Sequence, residues 1–163
     1  MEIRRYKPGD ESEVAALIQR SLVEKNPEDP PSEREWHMNR YTPEYIKELA
    51  EKSHTYVICE NGKPVGTGTI LVNDDVKNIK QSEIVACFLN PDYIGTGLGR
   101  KLFDVLEADE YFTSAERVWL TSSIMAQGFY DHLGYVNPNG HGMRNADTLI
   151  EYEKIRKPKR DQI

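Results

Sequence analysis

Glu83-Ile-Val-Ala-Cys-Phe-Leu-Asn-Pro-Asp-Tyr-Ile-Gly-Thr-Gly-Leu-Gly-Arg-Lys-Leu-Phe-Asp-Val-Leu106 decides how the rest of this 163-residue chain folds. Ile84 to Leu89 is a continuous apolar run of strand length, which suits a strand buried on both faces. Asn90-Pro91-Asp92 ends it, because proline has no N–H for a sheet ladder and Asn and Asp tolerate turn geometry. Gly95, Gly97 and Gly99 follow at alternate positions, and Leu98, Leu102, Val105 and Leu106 then recur at helical spacing. The order is buried strand, turn, glycine loop, helix. It aims backbone N–H groups at the positive end of a helix toward one point, and phosphate is the first candidate to sit there.

Two common phosphate loops do not fit this spacing. The nucleoside-triphosphate loop requires G-x-x-x-x-G-K-S/T, and no lysine followed by Ser or Thr stands at that position. The dinucleotide fingerprint requires G-x-G-x-x-G early in a βαβ unit, with an acidic residue about 20 positions on. Here the loop lies past mid-chain and leaves too little sequence for a second nucleotide-binding half. A pyridine-nucleotide oxidoreductase is therefore disfavoured.

Working outward, the length suits one domain, expected over residues 1–154 with a basic, polar tail over 155–163. With 38% hydrophobic and 29% charged residues and no membrane-length apolar run, the composition is that of a soluble globular protein. The N-terminus lacks the apolar core of a secretion signal, so a cytoplasmic location is expected. Cys59 and Cys87 both fall in apparent strands, are expected reduced, and are too few for a cysteine-built metal site. His37, His54, His132 and His141 show no metal-ligand spacing either, so no metal is expected. A net charge of −6 argues against a nucleic-acid partner and is compatible with a cationic amine.

Glu2 to Tyr6 alternates as a first strand, and Asp10 is placed to cap a helix carrying Val14, Leu17, Ile18 and Leu22. Asn26 to Ser32 holds Pro27, Pro30 and Pro31 and reads as loop. Glu33 to Tyr41 carries Trp36 and Tyr41 among charges, and Thr42-Pro43 opens a second helix. Thr55 to Cys59 and Pro64 to Val72 form a hairpin about Asn61-Gly62, and Asn73 to Lys80 reads as a polar loop or strand end. The glycine-loop helix is expected to reach about Tyr111, with Val118 to Thr121 as a parallel neighbour of the organising strand. Ser122 or Ser123 is placed to cap a helix over Ile124 to Leu133 that Gly134 stops. Tyr135-Val136 and Thr148 to Lys154 complete the strands, with a glycine-rich turn over Asn137 to Asn145 between them.

Two motifs carry a resemblance. Leu89-Asn-Pro-Asp-Tyr-Ile-Gly-Thr-Gly-Leu-Gly-Arg-Lys-Leu102 fits V/I-x-P-x-x-x-G-x-G-x-G-x-x-L, and Ala126, Phe129, Tyr130, Gly134 and Tyr135 fit A-x-x-F-Y-x-x-x-G-F/Y. In that order and separation they resemble the GCN5-related N-acetyltransferase (GNAT) family, most closely over Glu83 to Tyr135. The resemblance implies a mixed α/β fold: a mostly antiparallel twisted sheet of six to seven strands, helices on both faces, and a V-shaped splay between two central parallel strands. It implies transfer of acetyl from acetyl-coenzyme A to a primary amine of a small molecule or peptide, in a ternary complex. A longer acyl group, the acceptor's identity and a homodimer are left open, and no membrane or nucleic-acid partner is implied.

The same resemblance assigns residues. The backbone of Phe88 and Leu89 would meet the thioester and pantetheine arm, and Ile94, Gly95, Thr96, Gly97, Leu98 and Gly99 would surround the pyrophosphate. Arg100 and Lys101 either meet the nucleotide phosphates or are simply solvated. Ser123 either bonds the arm or caps the helix. The family more often has Gln or Arg where Ile94 stands, and Asn where Ser123 stands. An alkyl amine has a pKa of about 10.4 and must lose a proton before it attacks. Glu83, at the position of the base in histone-acetylating members, is either that base or a solvated strand end. The thiolate leaving group needs a proton, and Tyr130 is either its donor or a packing residue. The region around Trp36 and Tyr41 is where the family builds its acceptor surface, though such aromatics also serve as ordinary core. A non-catalytic acyl-coenzyme A-binding module is the rival reading.

Overall fold

The computed structural model describes residues 1–24, 30–73 and 79–156. The strands are β1 (Glu2–Arg5), β2 (His54–Glu60), β3 (Lys63–Val72), β4 (Gln81–Leu89), β5 (Arg117–Ser122) and β6 (Ile150–Ile155). The helices are α1 (Glu11–Glu24), α2 (Pro31–Arg40), α3 (Pro43–Lys52), α4 (Leu98–Ala108), α5 (Glu110–Thr113) and α6 (Gln127–His132), with a single 3-10 turn at Pro91–Tyr93. The strands lie in chain order in one sheet, antiparallel except where β4 meets β5. Asn61 and Gly62 both take positive φ, as the expected two-residue hairpin turn requires.

The sheet buries a different set of side chains on each face. One face packs Leu98, Leu102, Phe103 and Leu106 of α4 against Ile70, Ile84, Val118 and Tyr152. The other packs Val14, Leu17, Ile18 and Leu22 of α1 with Ile46 against Val57 and Ala86. Each such apolar side chain contributes about 1.5–3 kcal/mol of gross burial, so both layers hold the sheet. A continuous apolar β4 is what two covered faces demand.

β4 is interrupted by a bulge. Thr67 pairs with Phe88 and Thr69 with Val85, so β4 spends an extra residue opposite Gly68. Ala86 takes that strain with φ +53°, in the left-handed region that alanine rarely occupies. The bulge changes the phase of the strand. Ile84 faces α4, Val85 and Ala86 both face α1, and then Cys87 and Leu89 face α4 while Phe88 faces α1.

Several sequence expectations need correction. The stretch read as loop up to Ser32, and left without structure to Tyr41, contains α2, with Pro31 at its first position. This helix has no fully buried residue, so it lacks the apolar stripe by which a helix is recognised. Residues 26–29, read as loop, and 74–78, read as loop or strand end, lie outside the described residues. The glycine-loop helix stops at Ala108, because the Asp109 carboxylate accepts the Tyr111 N–H and starts α5. The Asp10 carboxylate turns back to Arg4 and the Lys7 N–H. The α6 helix begins at Gln127 with no side-chain cap, so neither Ser122 nor Ser123 caps it. Tyr135-Val136 yields only an isolated bridge from Val136 to Glu153. β6 runs to Ile155, and Arg156 still bonds Glu116 and Phe112 through its N–H and guanidinium, so the edge of the fold extends past Lys154. The remaining tail, 157–163, lies outside the described residues.

Candidate active site

The glycine loop leaves a cluster of backbone donors free. Gly95 and Gly97 sit at φ +82° and +84°, with nothing within 4 Å of where a Cβ would stand. Gly97 is the N-cap of α4, and the first helical bond is Lys101 N–H to Gly97 O. The N–H groups of Gly95, Gly97, Leu98, Gly99 and Arg100 therefore have no partner among the described residues. Thr96 differs: its N–H and its hydroxyl both turn back to Tyr93 O. Leu98 is buried, so only its main chain faces the loop, whereas Ile94 and Arg100 are exposed. Free donors at the end of a helix carrying about half a positive charge make an anion cradle.

Gly99 has another role. A Cβ there would stand 3.1 Å from Phe129 Cζ and 3.2 Å from Cε2. The glycine lets the start of α4 close onto α6, and so ties the loop to Tyr130. On the outer side, the Arg20 guanidinium reaches Asn90 and Asp92, 3.2 Å away at closest, and braces the turn that enters the loop.

Beside the loop the sheet is open. β4 and β5 pair only at Gln81–Arg117, Ser82–Val118 and Glu83–Trp119, and then diverge. Asn90 donates its N–H to Val65 O on β3. Backbone alternation along β4 therefore turns the Leu89 N–H away from β3, to the side that β5 has vacated. An extended chain could pair there as a strand does.

Tyr130 lies under this opening, packed edge-on against Phe103 at 5.7 Å, Phe129 at 5.3 Å and Tyr135 at 6.2 Å between ring centroids. The residue is 7% exposed, and its hydroxyl makes no hydrogen bond among the described residues. By contrast the Tyr135 hydroxyl donates to Glu107 and the Tyr56 hydroxyl to Asp109. Burial first, and the nearby Cys87 sulfur second, push the Tyr130 phenol above its ordinary pKa, so it stays protonated at working pH. Burial likewise raises the Cys87 thiol, to about 12.

Glu83 occupies the apex of the splay, as the last residue of β4 paired to both neighbours. Alternation from Ile84 places its side chain on the α1–α3 face. Burial raises its pKa, partly countered by a 3.1 Å hydrogen bond from Asn73 Nδ2 and by the charge of Arg40. On this face Phe88 packs against Tyr41 at 5.5 Å, and Tyr41 against Tyr45 at 5.7 Å. Arg40 lies over the rings of Trp36 and Tyr45, each at 5.0 Å.

The chain matches the acetyltransferase (GNAT) family over residues 15–135, from α1 through the loop to Tyr135. The protein belongs to the GNAT family. An uncharacterized acetyltransferase of Streptococcus pyogenes serotype M1 is 29% identical over 105 residues, spanning 60% of this chain and 71% of that protein. Among solved structures, the PaiA N-acetyltransferase of Thermoplasma acidophilum in complex with coenzyme A superposes with a TM-score of 0.77. It is 14% identical, and 95% of this chain and 98% of that one are covered. A GNAT family acetyltransferase of Brucella melitensis in complex with acetyl-coenzyme A gives 0.67 at 17% identity, covering 96% and 88%. The GNAT sheet, its single parallel pair and helices on both faces are those expected from the sequence.

Within this GNAT fold the loop residues Ile94 to Arg100 and the Leu89 main chain border one opening, and α6 places Tyr130 against it. Phe88 turns its side chain to the opposite face, leaving only its main chain near the gap. Ser123 follows β5, and its carbonyl accepts the Ser122 hydroxyl and the Ala126 N–H. Lys101 is exposed on the outside of α4. Glu83 and Tyr130 approach the splay from opposite faces of the sheet. The sequence reading missed Asn73 and Arg40. Arg40 four residues after Trp36 is a helical spacing, but it signals a contact only once α2 is known to be a helix. No helix among the described residues is long and apolar enough to cross a membrane.

Proposed function

We propose that this protein is an N-acetyltransferase moving acetyl from acetyl-coenzyme A directly to a primary amine, with Tyr130 as general acid and Glu83 as general base. The observation that carries the reading is the parting of β4 from β5, with free loop N–H groups beside it and a largely buried Tyr130 whose hydroxyl has no hydrogen-bond partner among the described residues. The residues present fit the co-substrate. Gly95 and Gly97 keep the loop surface free of side-chain atoms, so a pyrophosphate can approach five main-chain donors. Two neighbours solved with coenzyme A or acetyl-coenzyme A support the same class of ligand. When bound, the thioester supplies an activated acyl carbon and a sulfur leaving group.

Glu83 accepts the proton that the amine nitrogen loses as it bonds to the acyl carbon, directly or through one water. Its half-buried setting raises its proton affinity above that of a surface carboxylate, which favours this transfer. The Leu89 N–H donates to the acyl oxygen as negative charge gathers there. Tyr130 gives its proton to the departing sulfur as the carbon–sulfur bond breaks, and recovers one from solvent. Arg100 adds positive charge beside the phosphates, and the Ser123 hydroxyl is available to the arm.

Tyr130→Phe tests the assignment. Loss of general-acid catalysis should lower kcat by about 10²–10⁴-fold while leaving coenzyme A affinity, read by calorimetry, within about twofold. Unchanged release of free thiol in that variant would remove Tyr130 from the mechanism. A wild-type protein that binds acetyl-coenzyme A but acetylates no amine would establish the binding-module reading instead.

A further inference from the structure

Arg40 is held in an unusual way. Its Nη2 donates to the Tyr45 hydroxyl at 2.8 Å, and its guanidinium lies 5.0 Å from the ring centres of both Trp36 and Tyr45. Two aromatic faces and one hydroxyl fix its direction, so little side-chain entropy remains to be lost on binding. Arg4, Arg20 and Arg117 spend their charge on carboxylates, on Asp10, on Glu24 and Asp92, and on Glu151 and Glu153, whereas Arg40, like Arg156 over Phe112, is held by ring faces. No carboxylate among the described residues lies within ion-pair distance of Arg40. Its remaining guanidinium donors are available to a ligand.

Tyr41, the residue after Arg40, packs on Phe88 of β4 at 5.5 Å, which sets the end of α2 over the face of β4 that carries Glu83; the charge of Arg40 is felt there by both the Glu83 carboxylate and the Tyr41 hydroxyl. Glu83 and Arg40 do not form an ion pair there; the Glu83 carboxylate accepts from Asn73 Nδ2 instead, and the two opposite charges face the same space. A molecule entering between them meets an acceptor of protons at one end and a preset planar cation at the other. Trp36 is 56% exposed beside Arg40, an apolar wall for the body of such a molecule.

We propose that the acceptor is a small amino acid in the general sense. It would carry a primary amine that meets Glu83 and, on the same molecule, a carboxylate that pairs with Arg40. The inference rests on the acetyltransferase reading and narrows its substrate class. A polyamine would set a second ammonium against Arg40, and a plain alkylamine would leave the Arg40 donors unpaired. A lone cation in front of Glu83 would be poorly matched to a second cation, whereas an amino-carboxylate satisfies both groups.

The test compares α-, β- and γ-amino acids with their carboxamides as acceptors, following thiol release from acetyl-coenzyme A. Amidation removes the carboxylate charge and also makes the amine easier to deprotonate, so amine availability alone would favour the amides. The expected result is a kcat/KM for at least one free acid about 10–100-fold above its amide, the range of a charge-assisted hydrogen bond. In Arg40→Gln that acid-to-amide ratio should collapse toward one, mostly through a higher acceptor KM. A ratio cancels any general loss of activity, so a structural effect of the substitution would not mimic this result. Amides acetylated as well as acids by the wild type, or an unchanged ratio in Arg40→Gln, would overturn the inference while leaving an N-acetyltransferase. Thiol release with neither acids nor amides nor diamines would overturn it together with the acetyltransferase reading.

Discussion

Gly97→Ala separates what the glycine loop does for stability from what it does for binding. Gly97 sits at φ +84° with no atom within 4 Å of a new Cβ, so the methyl group meets no steric clash. What it meets is left-handed strain, about 1–2 kcal/mol for an L-residue. A stiffer unfolded chain offsets about 0.4–1 kcal/mol of that, which leaves a net loss near 1 kcal/mol. For a chain of this length that lowers Tm by about 2–4 °C. Relaxing the strain also turns the N–H groups of Gly97 and Leu98, and losing one hydrogen bond to a charged phosphate costs about 1.5–3 kcal/mol, tenfold or more in Kd. Gly62 provides an internal control, because it has φ +79° and the same open surroundings at the far hairpin. Gly62→Ala should lose the same stability and keep coenzyme A affinity. Thermal unfolding and calorimetry with coenzyme A read both quantities. Equal coenzyme A affinity in Gly97→Ala and wild type, or equal weakening in Gly62→Ala, would refute the main-chain cradle.

Glu83→Gln should abolish most turnover and yet stabilise the protein at neutral pH. The folded-state pKa of Glu83 is raised by burial, so its favourable contribution is complete below the unfolded pKa and is lost as pH rises through the folded one. Urea titrations of both proteins should therefore converge in acid and separate, with the variant ahead, toward pH 7; the opposite order would contradict a carboxylate whose burial raises its pKa. Asp109→Ala should destabilise by about 3 kcal/mol, since it removes the partner of His54 Nδ1 at 2.9 Å, of the Tyr56 hydroxyl at 2.7 Å and of the Tyr111 N–H at 2.8 Å. Burial opposes the Asp109 charge, but those hydrogen bonds hold its pKa below the ordinary carboxylate range. Its contribution is thus present above the unfolded pKa and fades as pH falls. A loss in urea denaturation that stayed constant from pH 7 to strong acid would count against this account.

Local chemistry was enough for the centre of the molecule. The apolar run at Ile84 to Leu89 required burial on both faces, Asn61-Gly62 required a tight hairpin, and Gly95, Gly97 and Gly99 marked a loop before a helix, two of them at positive φ in the fold. Each of these signals comes from a residue type with a narrow set of compatible conformations. Where the determinant lay elsewhere in the chain, sequence was mute. α2 carries only Trp36 and Met38 as large apolar residues and is not written as an apolar stripe, so Arg40 and Trp36 could not be set side by side. The bulge at Ala86 is carried by an alanine, whose sequence preference is for negative φ; pairing with β3 imposes it. That one extra residue decides that Phe88 faces Tyr41 while Cys87 faces Tyr130's side of the sheet. The parting of β4 from β5 after Glu83 is likewise a property of two strands together. The sequence by itself determined the strand, the loop and the helix that follows. Only the tertiary structure decided which side chains share the opening, because periodicity records a face and not what lies across from it.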